Sequence, residues 1–201
     1  MIVLLATLMV GVAIAPQPIV DTPSGPEIAE CVVDNDKADV RVLLKTVPGS
    51  PAEAKVIEKV LVFYGGCSNN QRATGTFSWR ERAEIAEAAL AGTLDRKGPD
   101  IVAAVGQEGW GLALPSSSKA SVDYDPVNVG VRTLGDCIVR ANPQGALALA
   151  RTARGSAGET AAVNQLSGNL AACLPAGQTL KLKRQDLRLV VAEPLYHLLS
   201  R

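Results

Sequence analysis

Apolar residues recur at helical spacing in two stretches of the chain, and both stretches are punctuated in the same way. Val40, Leu43, Leu44 and Val47 form an i, i+3, i+4, i+7 stripe behind Asp36, a good N-cap, and the stripe stops before Gly49. Ser50-Pro51-Ala52-Glu53 is a capping box that opens a second stripe of Val56, Ile57, Val60 and Tyr64. The later stretch repeats this order. Asn142-Pro143 opens a stripe of Ala146, Leu149, Ala150 and Ala153, which stops before Gly155. Ser156-Ala157-Gly158-Glu159 caps a face made of Ala162, Val163, Leu166 and Leu170. The pattern predicts a helix, a tight turn and a second helix, twice over. Each hairpin is followed by a short alternating segment, Thr76-Phe77-Ser78-Trp79 in one case and Thr179-Leu180-Lys181-Leu182 in the other. These two segments are placed to pair as a minor β ribbon. Third helices follow, one opened by the Ser78 to Glu81 box and running through about Ala91, the other carrying Leu187, Val191, Leu195 and Leu198 on one face. Pro194 predicts a bend or a fresh start in that last helix.

The two stretches superpose without a gap at a shift of 106 residues. Val33 falls on Val139, Leu43 on Leu149, Thr46 on Thr152, Gly49 on Gly155, Ser50 on Ser156 and Glu53 on Glu159. Ile85-Ala86-Glu87 falls on Val191-Ala192-Glu193. A tandem duplication accounts for all of these matches. The four cysteines obey the same shift, Cys31 and Cys67 becoming Cys137 and Cys173. An αα-hairpin brings the residues ahead of its first helix near those behind its second, so the expected bonds are Cys31–Cys67 and Cys137–Cys173. Zinc sites and redox pairs use cysteines two to four residues apart, a spacing that does not occur in this sequence.

Met1 to Ala15 is an apolar run that ends in Ala13-Ile14-Ala15, the pattern of a signal peptide cleaved after Ala15 or Ala13. A spanning helix needs about 20 apolar residues, so no membrane span is expected once the signal is removed. Residues 16–30, with four prolines and Ser24-Gly25, read as an extended lead-in. The expected organisation is a helical repeat over 31–94, a connecting segment over 95–135 and a second repeat over 136–201. The connecting segment holds Trp110 as a candidate anchor, and Ile101 to Val105 and Val127 to Val131 as short strands or single helical turns. A unit of about 65 residues has little core of its own, which favours one composite domain over 31–201 with pseudo-twofold character. The fold class is therefore mainly α, with two disulfide-stapled hairpins each followed by a third helix.

Twenty Lys and Arg balance twenty Asp and Glu, so no overall field steers the chain to nucleic acid. Twenty-nine alanines against 3% aromatic residues fit closely packed helices. The balance conceals a polarity: residues 16–30 carry three acids and no base, and residues 136–201 carry eight bases against four acids. Lys181, Lys183, Arg184 and Arg188, extended by Arg151 and Arg154, form a candidate anion-binding patch.

Catalytic patterns are weak by comparison. His197, the one histidine, stands near the end of a helix with no nucleophile motif around it. Ser116-Ser117-Ser118-Lys119 lacks the companion motifs of serine acyl enzymes. Asp34, Asp36 and Asp39 lack the glycine and distal glutamate of a calcium loop and read as cap and surface. Glu87 and Glu193 stand at equivalent places, and an ion pair between the repeats explains them better than an acid/base couple. No metal site or cofactor motif emerges.

An export signal followed by two copies of Cys-Val-Val or Cys-Ile-Val, a capped two-helix hairpin, a second cysteine and an Ala-Glu-containing helix resembles a group of uncharacterised exported proteins of alphaproteobacteria. That resemblance covers residues 31–94 and 136–201 and implies an exported, mostly helical protein, with no reaction attached. The expectation is a periplasmic or secreted, non-enzymatic protein that binds an envelope protein or an anionic polymer. The alternatives are an envelope hydrolase using acidic residues and a periplasmic chaperone-like protein.

Overall fold

A computed structural model describes residues 24–68, 77–94, 126–174 and 182–200. The expected signal over residues 1–15, Trp110, Ser116 to Lys119 and most of the connecting segment lie outside them. The first unit contains α1 (Gly25–Asn35), α2 (Lys37–Lys45), α3 (Pro51–Cys67) and α4 (Trp79–Leu94). The second contains α5 (Pro126–Ala141), α6 (Pro143–Ala150), α7 (Ala157–Ser167), α8 (Leu170–Cys173), a 3-10 turn (Arg184–Asp186) and α9 (Leu187–Leu199). The described residues contain no strand. Trp79 opens α4 instead of ending a ribbon strand, because the Glu81 carboxylate accepts the Ser78 N–H at 2.8 Å and so caps the helix there. Thr76 and Thr179 to Lys181 fall outside the described residues.

Turn chemistry sets the helix ends. Asp36 accepts the Asp39 N–H at 3.2 Å to start α2, and Asn142 accepts the Gly145 N–H at 2.8 Å to start α6. Gly49 and Gly155 take φ of 81° and 72°, the left-handed region that glycine enters without strain. Ser50 accepts the Glu53 N–H at 3.1 Å and Ser156 that of Glu159 at 3.0 Å, as the capping boxes require. Each glutamate reaches back one residue further than the sequence suggests, to the N–H of Gly49 or Gly155 rather than that of the serine.

Three boundaries differ from the sequence reading. Residues 25–30 are helical, not an extended lead-in: Glu27 accepts the Ser24 N–H at 2.7 Å, and Ile28, Ala29 and Val32 form a buried face. Val127 to Val131 belong to α5, which overlaps the span of α1 at the shift of 106, so the second unit begins at least ten residues before Asp136. Cys31 and Cys137 therefore sit within α1 and α5, still ahead of the hairpin helices α2 and α6. The bonds are nonetheless Cys31–Cys67 and Cys137–Cys173, with Cα atoms 5.8 and 5.6 Å apart.

Each unit has a core, and each core borrows from the other. Val32, Leu43, Leu44, Val60 and Ile85 pack together and take in Ala192 from α9. Ile138, Leu149, Leu166, Val191 and Leu195 pack together and take in Leu90 from α4. Helices α4 and α9 make the most extensive contact between described elements. This exchange makes one composite structure of two stapled helical units.

Pro194 neither ends nor restarts α9, which runs unbroken from Leu187 to Leu199. Proline withholds the N–H that would bond the Val190 carbonyl, and that carbonyl lies against α5 at Gly135. A Cβ built on Gly135 would stand 2.0 Å from the Val190 oxygen, so only glycine lets the two helices meet there. Gly135→Ala is expected to destabilise the protein by about 1–3 kcal/mol through this overlap. Gly130→Ala, on the same helix with no atom within 4 Å of the added carbon, is expected to be neutral or to stabilise by up to about 1 kcal/mol. Urea unfolding of the two variants measures the contrast, and equal midpoints would refute the contact.

Candidate functional site

The buried charges meet where α4 and α9 cross. The Arg82 guanidinium, 3% exposed, donates to Glu193 Oε2 at 3.0 Å and Oε1 at 2.7 Å, to the Thr46 carbonyl at 3.1 Å, and to Glu53. Arg188 stands 106 residues later and repeats the arrangement. It donates to Glu159 at 2.6 Å, to the Thr152 carbonyl at 2.6 Å and to Glu87 at 3.1 Å. Each arginine thus holds the helix turn of its own unit and a glutamate of the other. Arg80 and Asp186, also 106 residues apart, bond to each other at 2.7 and 2.8 Å. Such reciprocal contacts define an approximate twofold axis between the units.

These partners set the titration behaviour. Burial alone would raise the Glu193 carboxyl, but Arg82 and Arg132 outweigh it and hold the group far below the usual carboxylate range. Burial likewise opposes the ionised forms of Glu159 and Asp186, while hydrogen bonds from Arg188 and Arg80 respectively bring both carboxyls down. Burial pushes Arg132 down to about 10, against the pull of Glu193. The four carboxylates Glu53, Glu87, Glu159 and Glu193 are each matched to a guanidinium. Glu87 and Glu193 are ion-pair partners between units, not a facing acid/base couple. His197 Nε2 lies 3.6 Å from Glu193 and 3.3 Å from Arg132, at the edge of this network.

Arg188 has no place in the anion-binding patch, because it is 4% exposed and its donors face Glu159, Glu87 and Thr152. Lys183 is exposed. Lys181 and the side chain of Arg184 fall outside the described residues. Asp36 caps α2, and Asp39 lies 3.8 Å from Lys59 on the surface. Among the described residues no three His, Cys, Asp or Glu side chains converge as a metal site.

A basic surface missed in the sequence lies on α2. Lys37, Arg41 and Lys45 are spaced by four residues, all three are exposed, and all three line a groove of about 1060 Å³ between α2, α4 and the end of α9. Four helical residues rise about 6 Å, so the charges form a row roughly 12 Å long. None of the three enters an ion pair among the described residues. The floor is apolar, with Val40, Ala88, Ala89 and Leu199, and Asp34 is the acid at its edge. The four-residue period is visible in the sequence, but its exposure follows only once Val40, Leu43 and Leu44 turn the opposite face of α2 into the core. Arg82 was equally legible, since it stands 106 residues before Arg188.

Comparison with protein-family models, with curated proteins and with solved structures finds no match to this chain. Two disulfides that use all four cysteines belong to a non-reducing compartment. Among the described residues no helix is long and apolar enough to cross a membrane.

Proposed function

We propose that the chain is a periplasmic or secreted binding protein, built by tandem duplication, whose working surface is the groove beside α2 and whose partner is an acidic envelope protein. The row of Lys37, Arg41 and Lys45 over an apolar floor carries this reading. Three cations along one helix, none of them ion-paired among the described residues, attract an elongated anion, and the row is too long for a single carboxylate. The apolar floor favours an amphipathic acidic segment over a wholly hydrophilic polymer. The commitment of the buried carboxylates to guanidinium partners supports a binding role over hydrolysis. The signal-like apolar run over residues 1–15 and the two disulfides support the compartment.

Fluorescence polarisation with a labelled peptide of repeating Leu-Glu-Glu-Leu units, acidic on one face and apolar on the other, tests the groove with the oxidised full chain. Wild type is expected to bind in a salt-sensitive manner, and K37A/R41A/K45A to bind at least about tenfold more weakly, a loss of about 1.4 kcal/mol. All three sites are exposed helix positions, so the variant keeps its circular dichroism spectrum. A variant K181A/K183A/R184A is expected to bind as wild type. Undiminished binding by the α2 variant, or no binding by wild type, would overturn the proposal.

A further inference from the structure

The approximate twofold axis generates two equivalent clefts, and they differ. One lies beside Arg82 and Glu193 and has a volume of only about 20 Å³. The other lies beside Arg188 and Glu87 and opens to about 420 Å³. The shift of 106 identifies what closes the first. Arg132 fills it, reaching Glu193 at 3.3 Å and the Thr46 carbonyl at 3.2 Å, where the open cleft has Pro26. Pro194 narrows it further, where the open cleft has Ala88.

The open cleft also carries charge where its counterpart is apolar. Glu84 takes the place of buried Val190, and Arg154 that of buried Pro48. Gly25 lets Glu84 into the cleft, since a Cβ at Gly25 would stand 2.5 Å from its carboxylate. Glu84 and neighbouring Glu30 make no ion pair or side-chain hydrogen bond among the described residues, and neither does the Arg151 guanidinium across the cleft. Burial, reinforced by Glu81, pushes the Glu84 carboxyl up against the opposing pull of Arg154. Leu90 and Leu94 supply apolar lining between the charged walls.

We infer that the open cleft binds a small apolar zwitterion, a free amino acid or a short peptide, with its ammonium at Glu84, its carboxylate at Arg151 and its side chain against Leu90 and Leu94. Both charged walls are needed because the ligand carries both charges. The cleft volume suits a small molecule, for which pockets of roughly 300–1,000 Å³ are usual. The site adjoins the α2 groove at Ala88 but uses none of its basic residues, so it does not depend on that groove.

Isothermal titration of the oxidised full chain with L-leucine and with Leu-Leu distinguishes the two sources of this chemistry. At least one is expected to bind, while 4-methylpentanoate, which lacks the ammonium, and isoamylamine, which lacks the carboxylate, bind at least about tenfold more weakly. Glu84→Gln and Arg151→Gln are each expected to weaken binding at least about tenfold without lowering the melting temperature. Pro26→Arg, which places in the open cleft the residue type that seals its counterpart, is expected to abolish binding while the protein stays folded. Binding of neither zwitterion at ~10 mM, equal binding of the singly charged analogues, or unchanged affinity in both the Glu84 and Arg151 variants would overturn the inference.

Discussion

Arg82→Met is expected to destabilise the protein by about 3–5 kcal/mol, the range for breaking a buried ion pair by removing one partner. The guanidinium ties the end of α2 through Thr46, the start of α3 through Glu53 and the middle of α9 through Glu193. Its removal leaves Glu53, 4% exposed, without its cation, and Glu193 with Arg132 as its remaining guanidinium. Arg188→Met is expected to cost less, since the side chains of Glu87 and Glu159 are 16% and 15% exposed and water reaches them. A double-mutant cycle of Arg82→Met with Glu53→Gln should return a coupling of about 1–3 kcal/mol. Urea unfolding measures all of these, and a loss below about 1 kcal/mol for Arg82→Met would refute the role of the interlock.

Acid should reveal the same network. The carboxyls of Glu193, Glu159 and Asp186 are all depressed in the folded chain. Below about pH 5 the unfolded chain therefore binds more protons at these groups than the folded one, and stability falls as pH falls. The contribution is fully present above the unfolded carboxyl values, near 4, and is lost as pH drops through the folded values. Glu84 works in the opposite direction, because its raised carboxyl takes up a proton sooner in the folded chain. Arg82→Met removes a cation from Glu193, so its stability should fall less between pH 7 and about pH 3 than that of wild type. An acid loss as steep as that of wild type would mean that Glu193 does not sense Arg82.

Much of this architecture was written in local chemistry. Capping residues, the glycines that end α2 and α6, and the apolar stripes fixed the hairpins, because each acts within a few residues of itself. The cysteine spacing then gave the disulfide pairing, since the hairpin leaves one way to join the ends. What stayed hidden depends on residues far apart in the chain. Gly25 to Glu30 looked like a proline-rich lead-in because their buried face makes sense only against α3 and α4. Arg188 belongs to a run of bases in sequence, and only the fold brings Glu87 and Glu159 to its guanidinium. The clefts were less legible still. The residues that distinguish them, Pro26 against Arg132 and Ala88 against Pro194, carry no signal in the local pattern, yet in space they separate an open cleft from a sealed one.

Removal of the disulfides has the other large expected effect, and the two should fail differently. A bond closing 36 residues is worth about 4 kcal/mol in the chain-entropy model. Against the roughly 5–15 kcal/mol of a typical domain, losing both should leave the reduced chain largely unfolded at 37 °C. Cys31→Ala/Cys67→Ala removes a tie at the end of α3, a continuous helix from Pro51 to Cys67 anchored near that end by buried Tyr64. Cys137→Ala/Cys173→Ala acts on α8, four residues long with none of them buried. There the bond adds to the packing of half-buried Leu170 on the core, and without it residues 170–173 should lose amide protection while α7 keeps its own. Each double variant should cost about 2–4 kcal/mol and still unfold in one transition, because Leu90 and Ala192 each pack into the other unit's core. Hydrogen exchange at 170–173 and calorimetry read these two outcomes. Unchanged protection there would refute the role given to the second bond, and two separate transitions would refute the composite domain.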